Sequence, residues 1–199
     1  MRKLLTFKEH SLLRLIPCEV IARGEMVGWW QTVQLDKGRA DGATTNLAVI
    51  TCDGLVGKIV EVSRQTSTAR LITDQNSKIS CRFPRSSVFG IAKGVGVALS
   101  GKPEMEILCA AEPARMDYIA KDAAILKGDE VVTSGLGGVF PGDLLVGYVE
   151  KTYMDDSGLY QHADIIPAAD LRSLTHVFIV LQEPSAGAKE AERGDDSPR

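Results

Sequence analysis

Between residues 19 and 181 the chain is a succession of short β-branched runs cut by turn residues, with almost no helical period among them. That pattern constrains the fold more than any other feature. Short period-two segments bury their apolar side only by pairing laterally into sheets. Strands are expected at 19–22, 32–36, 47–52, 55–62, 68–73, 78–83, 88–92, 95–99, 105–109, 130–133, 144–151, 160–166 and 176–181. Between them stand turn signals such as Asp41-Gly42, Asp53-Gly54, Gly128-Asp129, Pro141-Gly142 and Ser157-Gly158, in a chain with 19 glycines. Asp53-Gly54 is the strongest hairpin signal, because a type I′ turn needs positive φ at both central residues. Many strands at short spacing read as sandwiches or small barrels, so the expected class is all-β.

The two ends of the chain differ from this body. Residues 1–16 read as a helix: Met1, Leu5, Lys8, Leu12 and Leu15 recur at spacings of four and three, the rhythm of a coiled-coil seam. Either it is the remnant of a longer coiled coil, since the pattern opens without an N-cap, or it packs on its own domain. Pro17 is expected to stop it. Lys8, Glu9, His10 and Arg14 interrupt the apolar residues, so the segment is not a secretory signal. No apolar run approaches the roughly 20 residues that span a bilayer, and the chain as written reads as soluble. Residues 184–199 carry small and charged side chains without aromatics, and are expected to be disordered. Chain order suggests two subdomains, 17–93 and 94–183, although an interleaved arrangement returning the last strands to the first subdomain fits equally well. Leu55-Val56-Gly57-Lys58-Ile59-Val60-Glu61 echoes Leu145-Val146-Gly147-Tyr148-Val149-Glu150 with one residue deleted. The echo marks either two related barrels with glycine-kinked strands or chance.

Signals of chemistry are weak. Lys and Arg number 23 against 26 Asp and Glu, for a net charge of −3, which disfavours nucleic acid as a partner. Cys18, Cys52, Cys81 and Cys109 contain no C-x-x-C pair, so they are either small buried hydrophobes or one or two disulfides. With His10, His162 and His176 scattered, no metal site or cofactor is expected. Ser134 in Thr133-Ser134-Gly135-Leu136-Gly137-Gly138 is the one candidate nucleophile, for a degenerate chymotrypsin-like hydrolase. The sole histidine upstream of it is His10, before any strand. A surface argument remains. Segments 144–149 and 177–181 are apolar on both faces, which means burial between subdomains or a patch awaiting a partner. Phe89, Phe140, Tyr148, Tyr153 and Tyr160 are the aromatic candidates for partner contact. Trp29-Trp30 is expected to send at least one ring inward.

The order Leu35-Asp36-Lys37-Gly38-x-x-Asp41-Gly42, Val49-Ile50, Gly54-Leu55-Val56-Gly57-x-Ile59-x-x-Val62 and Leu71-Ile72-Thr73-Asp74 resembles the rod-shape-determining MreC family. The resemblance continues through Gly128-Asp129-x-Val131-Val132-Thr133-Ser134-Gly135, Phe140-Pro141-Gly142 and Val146-Gly147-x-Val149, with Leu15-Ile16-Pro17-x-Glu19-Val20-Ile21-Ala22-Arg23 upstream. It implies two small six-stranded β-barrels after a coiled coil, held at the periplasmic face of the inner membrane by an N-terminal transmembrane helix absent from this chain. It implies a non-catalytic scaffold of the cell-elongation machinery that binds and regulates a class-B penicillin-binding transpeptidase, in company with MreD, RodA and MreB. Dimers or filaments through the coiled coil and heads belong to the same expectation. The motif residues, chiefly glycines and Asp36, Asp41 and Asp74, read as turn formers.

Overall fold

Twelve strands follow one another in the computed structural model, which describes residues 14–24, 31–95, 114–155 and 158–181. They are β1 (Arg14–Arg23), β2 (Thr32–Leu35), β3 (Ala48–Ile50), β4 (Leu55–Val62), β5 (Ser67–Leu71) and β6 (Lys78–Arg82). Then come β7 (Phe89–Gly94), β8 (Ala114–Ala120), β9 (Glu130–Thr133), β10 (Leu145–Met154), β11 (Tyr160–Pro167) and β12 (His176–Leu181). One 3-10 turn, Arg39–Asp41, lies between β2 and β3. All pairings are antiparallel and close two six-stranded barrels, ordered β1-β12-β3-β4-β5-β2 and β10-β11-β8-β7-β6-β9. Among the described residues no helix is long and apolar enough to cross a membrane.

Several sequence expectations change here. Residues 14–16 are strand, and Pro17 sits inside β1 opposite Phe178. Pro17 is accommodated because extended backbone suits its fixed φ. The rest of the expected helix, Trp29-Trp30, most of the strand at 95–99, the strand at 105–109 and the tail from 184 lie outside the described residues. The division between barrels does not fall at 93/94: β6 and β7 belong to the second barrel, and β12 returns to the first. The β3–β4 hairpin exists, but neither Asp53 nor Gly54 has positive φ, so its turn is not type I′. Instead the Thr51 hydroxyl accepts the N–H groups of Asp53 (3.2 Å) and Gly54 (3.3 Å). Glycine is required at 54 for space: a Cβ there would lie 2.8 Å from the Leu145 carbonyl oxygen of the second barrel.

The echo is real structure. Gly57 faces Val49 and Leu71 as Gly147 faces Val131 and Pro167. The ladders skip Val56 and Val60 on β4, and Val146 and Glu150 on β10, so both bulges recur at matching places. A Cβ on Gly57 would stand 1.9 Å from the Arg70 carbonyl oxygen, and one on Gly147 2.1 Å from that of Ile166. Both glycines let a strongly bent strand lie against its neighbour at a barrel corner. Following the registers round, β1 to β5 match β7 to β11, and β12 matches β6.

Of the two segments expected to be apolar on both faces, 177–181 is buried between the barrels, whereas 144–149 buries Val146 and Val149 but leaves Tyr148 exposed. On β12, Val177 and Ile179 join the core of the first barrel with Val33, Leu35 and Ile59. The alternate residues Phe178 and Val180 point the other way, into a continuous apolar layer with Leu15, Ile50, Phe140 and Val146 that merges with the second core. Arg14 pairs with Leu181, so the two ends of the first barrel's strands lie side by side.

The motif aspartates hold turns. Asp36 Oδ1 accepts the Glu19 N–H at 2.7 Å, and Asp41 Oδ2 accepts that of Gly38 at 3.1 Å. Asp74, in the crossing from β5 to β6, does more than form a turn. It is fully buried, takes the N–H of Asn76 at 2.8 Å and that of Gln31 at 3.0 Å, and lies 3.7 Å from Arg70 Nε.

Candidate functional site

Strand β7 has an unusual alternation. Gly90, Ala92 and Gly94 face the neighbouring backbone and core, while Phe89 and Ile91 stand exposed and Lys93 reaches an acid on β8. Small residues are inside and large apolar ones outside, the reverse of what burial alone would select. The same outer surface continues over β8, β11 and β10, where Tyr118, Tyr160, Ile166 and Tyr148 are exposed. Phe89 is 51% and Tyr118 62% exposed, far more than hydrophobic burial alone would leave. Tyr118 adopts φ +62° where Asp117 and Tyr118 together oppose His162, a bulge that turns its ring outward against Tyr160 at 5.8 Å, edge to face.

A polar network ties this face together. Lys93 Nζ lies 2.5 Å from Asp117 Oδ2. His162 Nδ1 lies 2.7 Å from Asp117 Oδ1, and its Nε2 3.3 Å from Asp155 Oδ1. The Tyr153 hydroxyl donates to Asp164 Oδ1 at 3.0 Å, and Arg115 stacks over the Tyr153 ring at 5.3 Å. Partial burial, with the Asp164 carboxylate beside it, pushes the Tyr153 phenol up to about 12, so it remains a neutral donor. Cross-strand bridges of this kind stiffen a surface against which apolar side chains are displayed.

Of the aromatic candidates, Phe89, Tyr153 and Tyr160 come together on this face and Tyr148 lies at its margin, opposite Ile166. Phe140 does not: it is buried in the layer joining the barrels and has no surface to offer a partner. Tyr118, Ile91 and Ile166 are additions that aromatic counting missed. The alternation of small and large residues along 89–94 was the legible signal for Ile91.

Ser134 is committed to its turn. Its hydroxyl donates to the Ser80 carbonyl at 3.1 Å and accepts the Leu136 N–H at 3.2 Å. Both ring nitrogens of His162 meet carboxylates rather than a hydroxyl nucleophile, and His176 Nδ1 meets Thr175. No group of acids, histidines and cysteines among the described residues is arranged to hold a metal ion. Cys18 and Cys81 carry free thiols, and burial pushes both up to about 12. Cys109 lies outside the described residues. Since the thiolate is the nucleophile, Cys18 and Cys81 should resist iodoacetamide at pH 8 in the folded chain and react once it unfolds. Mass spectrometry of the labelled peptides checks this, and rapid labelling of either thiol in the native state would show that its barrel opens.

A family model described as rod shape-determining protein MreC, barrel core, matches residues 20–181. The cell shape-determining protein MreC of Listeria monocytogenes is 34% identical over 171 residues, covering 84% of this chain and 54% of that protein. The chain thus spans about half the length of the curated relatives it matches. The crystal structure of MreC from Pseudomonas aeruginosa superposes with a TM-score of 0.73 at 27% identity, covering 84% of this chain and 99% of that one. A chain from the complex between penicillin-binding protein PBP2 and MreC of Helicobacter pylori shares the fold, with a TM-score of 0.61 at 19% identity over 85% of this chain and 99% of that one.

Proposed function

The chain belongs to the rod shape-determining MreC family, and from that premise we propose that it is a non-catalytic scaffold for a class-B penicillin-binding transpeptidase. The contact surface in this reading is the outer face of β7, β8, β11 and β10. One observation carries the choice of face. The two barrels share one register, yet where the second exposes Ile91, Ile166 and Tyr148, the first places Glu19, Arg70 and Lys58. The architecture therefore does not demand outward apolar side chains at these positions. Among the described strands the first barrel exposes one large apolar side chain, Ile21 at the β1 bulge, whereas the second exposes Phe89, Ile91, Tyr118, Tyr148, Tyr160 and Ile166. Rigid aromatics interleaved with satisfied polar pairs are the composition of partner-binding patches. The Helicobacter pylori complex, in which an MreC is bound to a penicillin-binding protein, supports the identity of the partner.

Regulation in this proposal is a shift of the transpeptidase between conformations, which requires only that the face bind one of them more tightly. Assembly with MreD, RodA and MreB, a periplasmic location with a membrane anchor beyond this stretch of chain, and pairing of heads through a coiled coil belong to the same reading.

Calorimetric titration of the chain against the periplasmic part of its own organism's transpeptidase tests it. Saturable binding in the micromolar range or tighter is expected. Phe89→Ala and Tyr160→Ala should each weaken it about tenfold or more, a loss of roughly 1.4 kcal/mol. Lys58→Ala and Glu19→Ala, on the matching face of the first barrel, should leave it within about twofold. Equal losses from both barrels, or none from the second, would remove this face from consideration.

A further inference from the structure

The second barrel is made by β6 to β11, which are consecutive in the chain, whereas the first is made by β1 to β5 and then β12, with the entire second barrel in between. The registers identify what has been displaced. Phe178 of β12 faces Pro17 and Ile50 as Arg82 of β6 faces Phe89 and Val132. The first barrel is thus the second with its opening strand moved to the far end of the sequence, a circular permutation. Its closing strand has no neighbour in the chain among its partners: β12 is held between β1 and β3.

The seat of β12 has the features of a binding site for an extended segment. Its floor and roof are both apolar, taking Val177 and Ile179 into the first core and Phe178 and Val180 into the layer between barrels. The approach is clipped by polar contacts. The Arg23 guanidinium donates to the carbonyls of Leu171 (3.2 Å) and Leu174 (3.1 Å), and the Val20 N–H donates to that of Thr175 (2.9 Å). Around the first of these clips, Asp170, Arg172 and Ser173 are exposed. We propose that the first barrel contains a strand-binding slot between β1 and β3 whose ligand is the chain's own β12. Without that ligand the first barrel is open, while the second stands complete. Main-chain pairing supplies affinity, and the two-sided apolar alternation supplies selectivity. The first barrel therefore closes only after all of the second has been synthesised.

The test uses the full chain with a specific protease site placed between Arg172 and Ser173, cut after folding. The released segment should remain bound in native buffer and leave in denaturant below the main unfolding transition. Over that range, amide hydrogens of β2 to β5 should exchange about a hundredfold faster, with those of β8, β10 and β11 still protected. A synthetic peptide of residues 173–183 should restore protection of the first barrel, and the same peptide with Val177→Asp and Ile179→Asp should not. Protection of β2 to β5 that survives loss of the segment would overturn the proposal, as would simultaneous loss in both barrels. Should the inserted site prevent folding, the uncut chain carrying Ile179→Ala decides. Exchange about thirtyfold faster or more in the first barrel alone supports the slot, and equal acceleration in both refutes it.

Discussion

Phe178→Ala is expected to lower the unfolding free energy by about 3–5 kcal/mol, the cost of deleting a large buried ring and leaving a cavity that neighbours fill only in part. Phe178 is 3% exposed and lies in the layer that joins the barrels, beside Leu15 and Ile50 of the first and Val146 of the second. It projects from a strand whose opposite face is itself core, so β12 has no freedom to sink into the void. Urea unfolding of the variant should show the midpoint falling with little change of slope. Phe89→Ala is the matched comparison, since that ring is half exposed; its effect should stay within about 1 kcal/mol. A loss under about 1 kcal/mol for Phe178→Ala would mean that the layer repacks and the two barrels are coupled by other contacts.

Asp74→Ala should destabilise by a similar amount, about 3–5 kcal/mol, through a different mechanism. The carboxylate is wholly enclosed and serves two main-chain donors, Gln31 N–H and Asn76 N–H, with the buried Arg70 Nε at 3.7 Å. Removing it strands both N–H groups and leaves a partly buried guanidinium without its counter-charge, and each of those groups was desolvated on folding. Asp74→Asn keeps an acceptor oxygen and about the same volume, so it should recover roughly half of the loss. Thermal and urea denaturation of the two variants read this directly. Equal destabilisation by Ala and Asn would assign the whole effect to charge, and negligible loss in both would show that water replaces the carboxylate.

Local pattern sufficed where a β-branched apolar run is bounded on both sides by turn residues. The expectations at 55–62, 130–133 and 176–181 coincide with β4, β9 and β12. It failed at β8, where the inward series Ala114, Met116 and Ile119 is broken by the extra residue of the Asp117-Tyr118 bulge, so period two is lost midway. It failed again at 14–16, because the spacing of Leu12 and Leu15 suits a helix equally well. What makes this stretch a strand is Leu181, Val180 and Ile179, distant in the chain and invisible to a local reading. The boundary between barrels was illegible for the same reason: which strands pair is decided by registers, not by proximity in sequence. The aromatic face was half legible. Ring-bearing residues flagged Phe89 and Tyr160, but residue type alone gave no way to tell the exposed Tyr148 from the buried Phe140.

The adjacency of Arg14 and Leu181 gives the head a mechanical direction. A load applied between the two ends of the described chain would peel β1 from β12 one ladder bond at a time, starting at the outermost pair. A load entering at Arg14 alone and leaving through the second barrel meets β1 flanked by β12 on one side and β2 on the other, so many hydrogen bonds resist together. Pulled by Arg14 and restrained at the second barrel, the structure would resist; pulled by both ends, it would come apart.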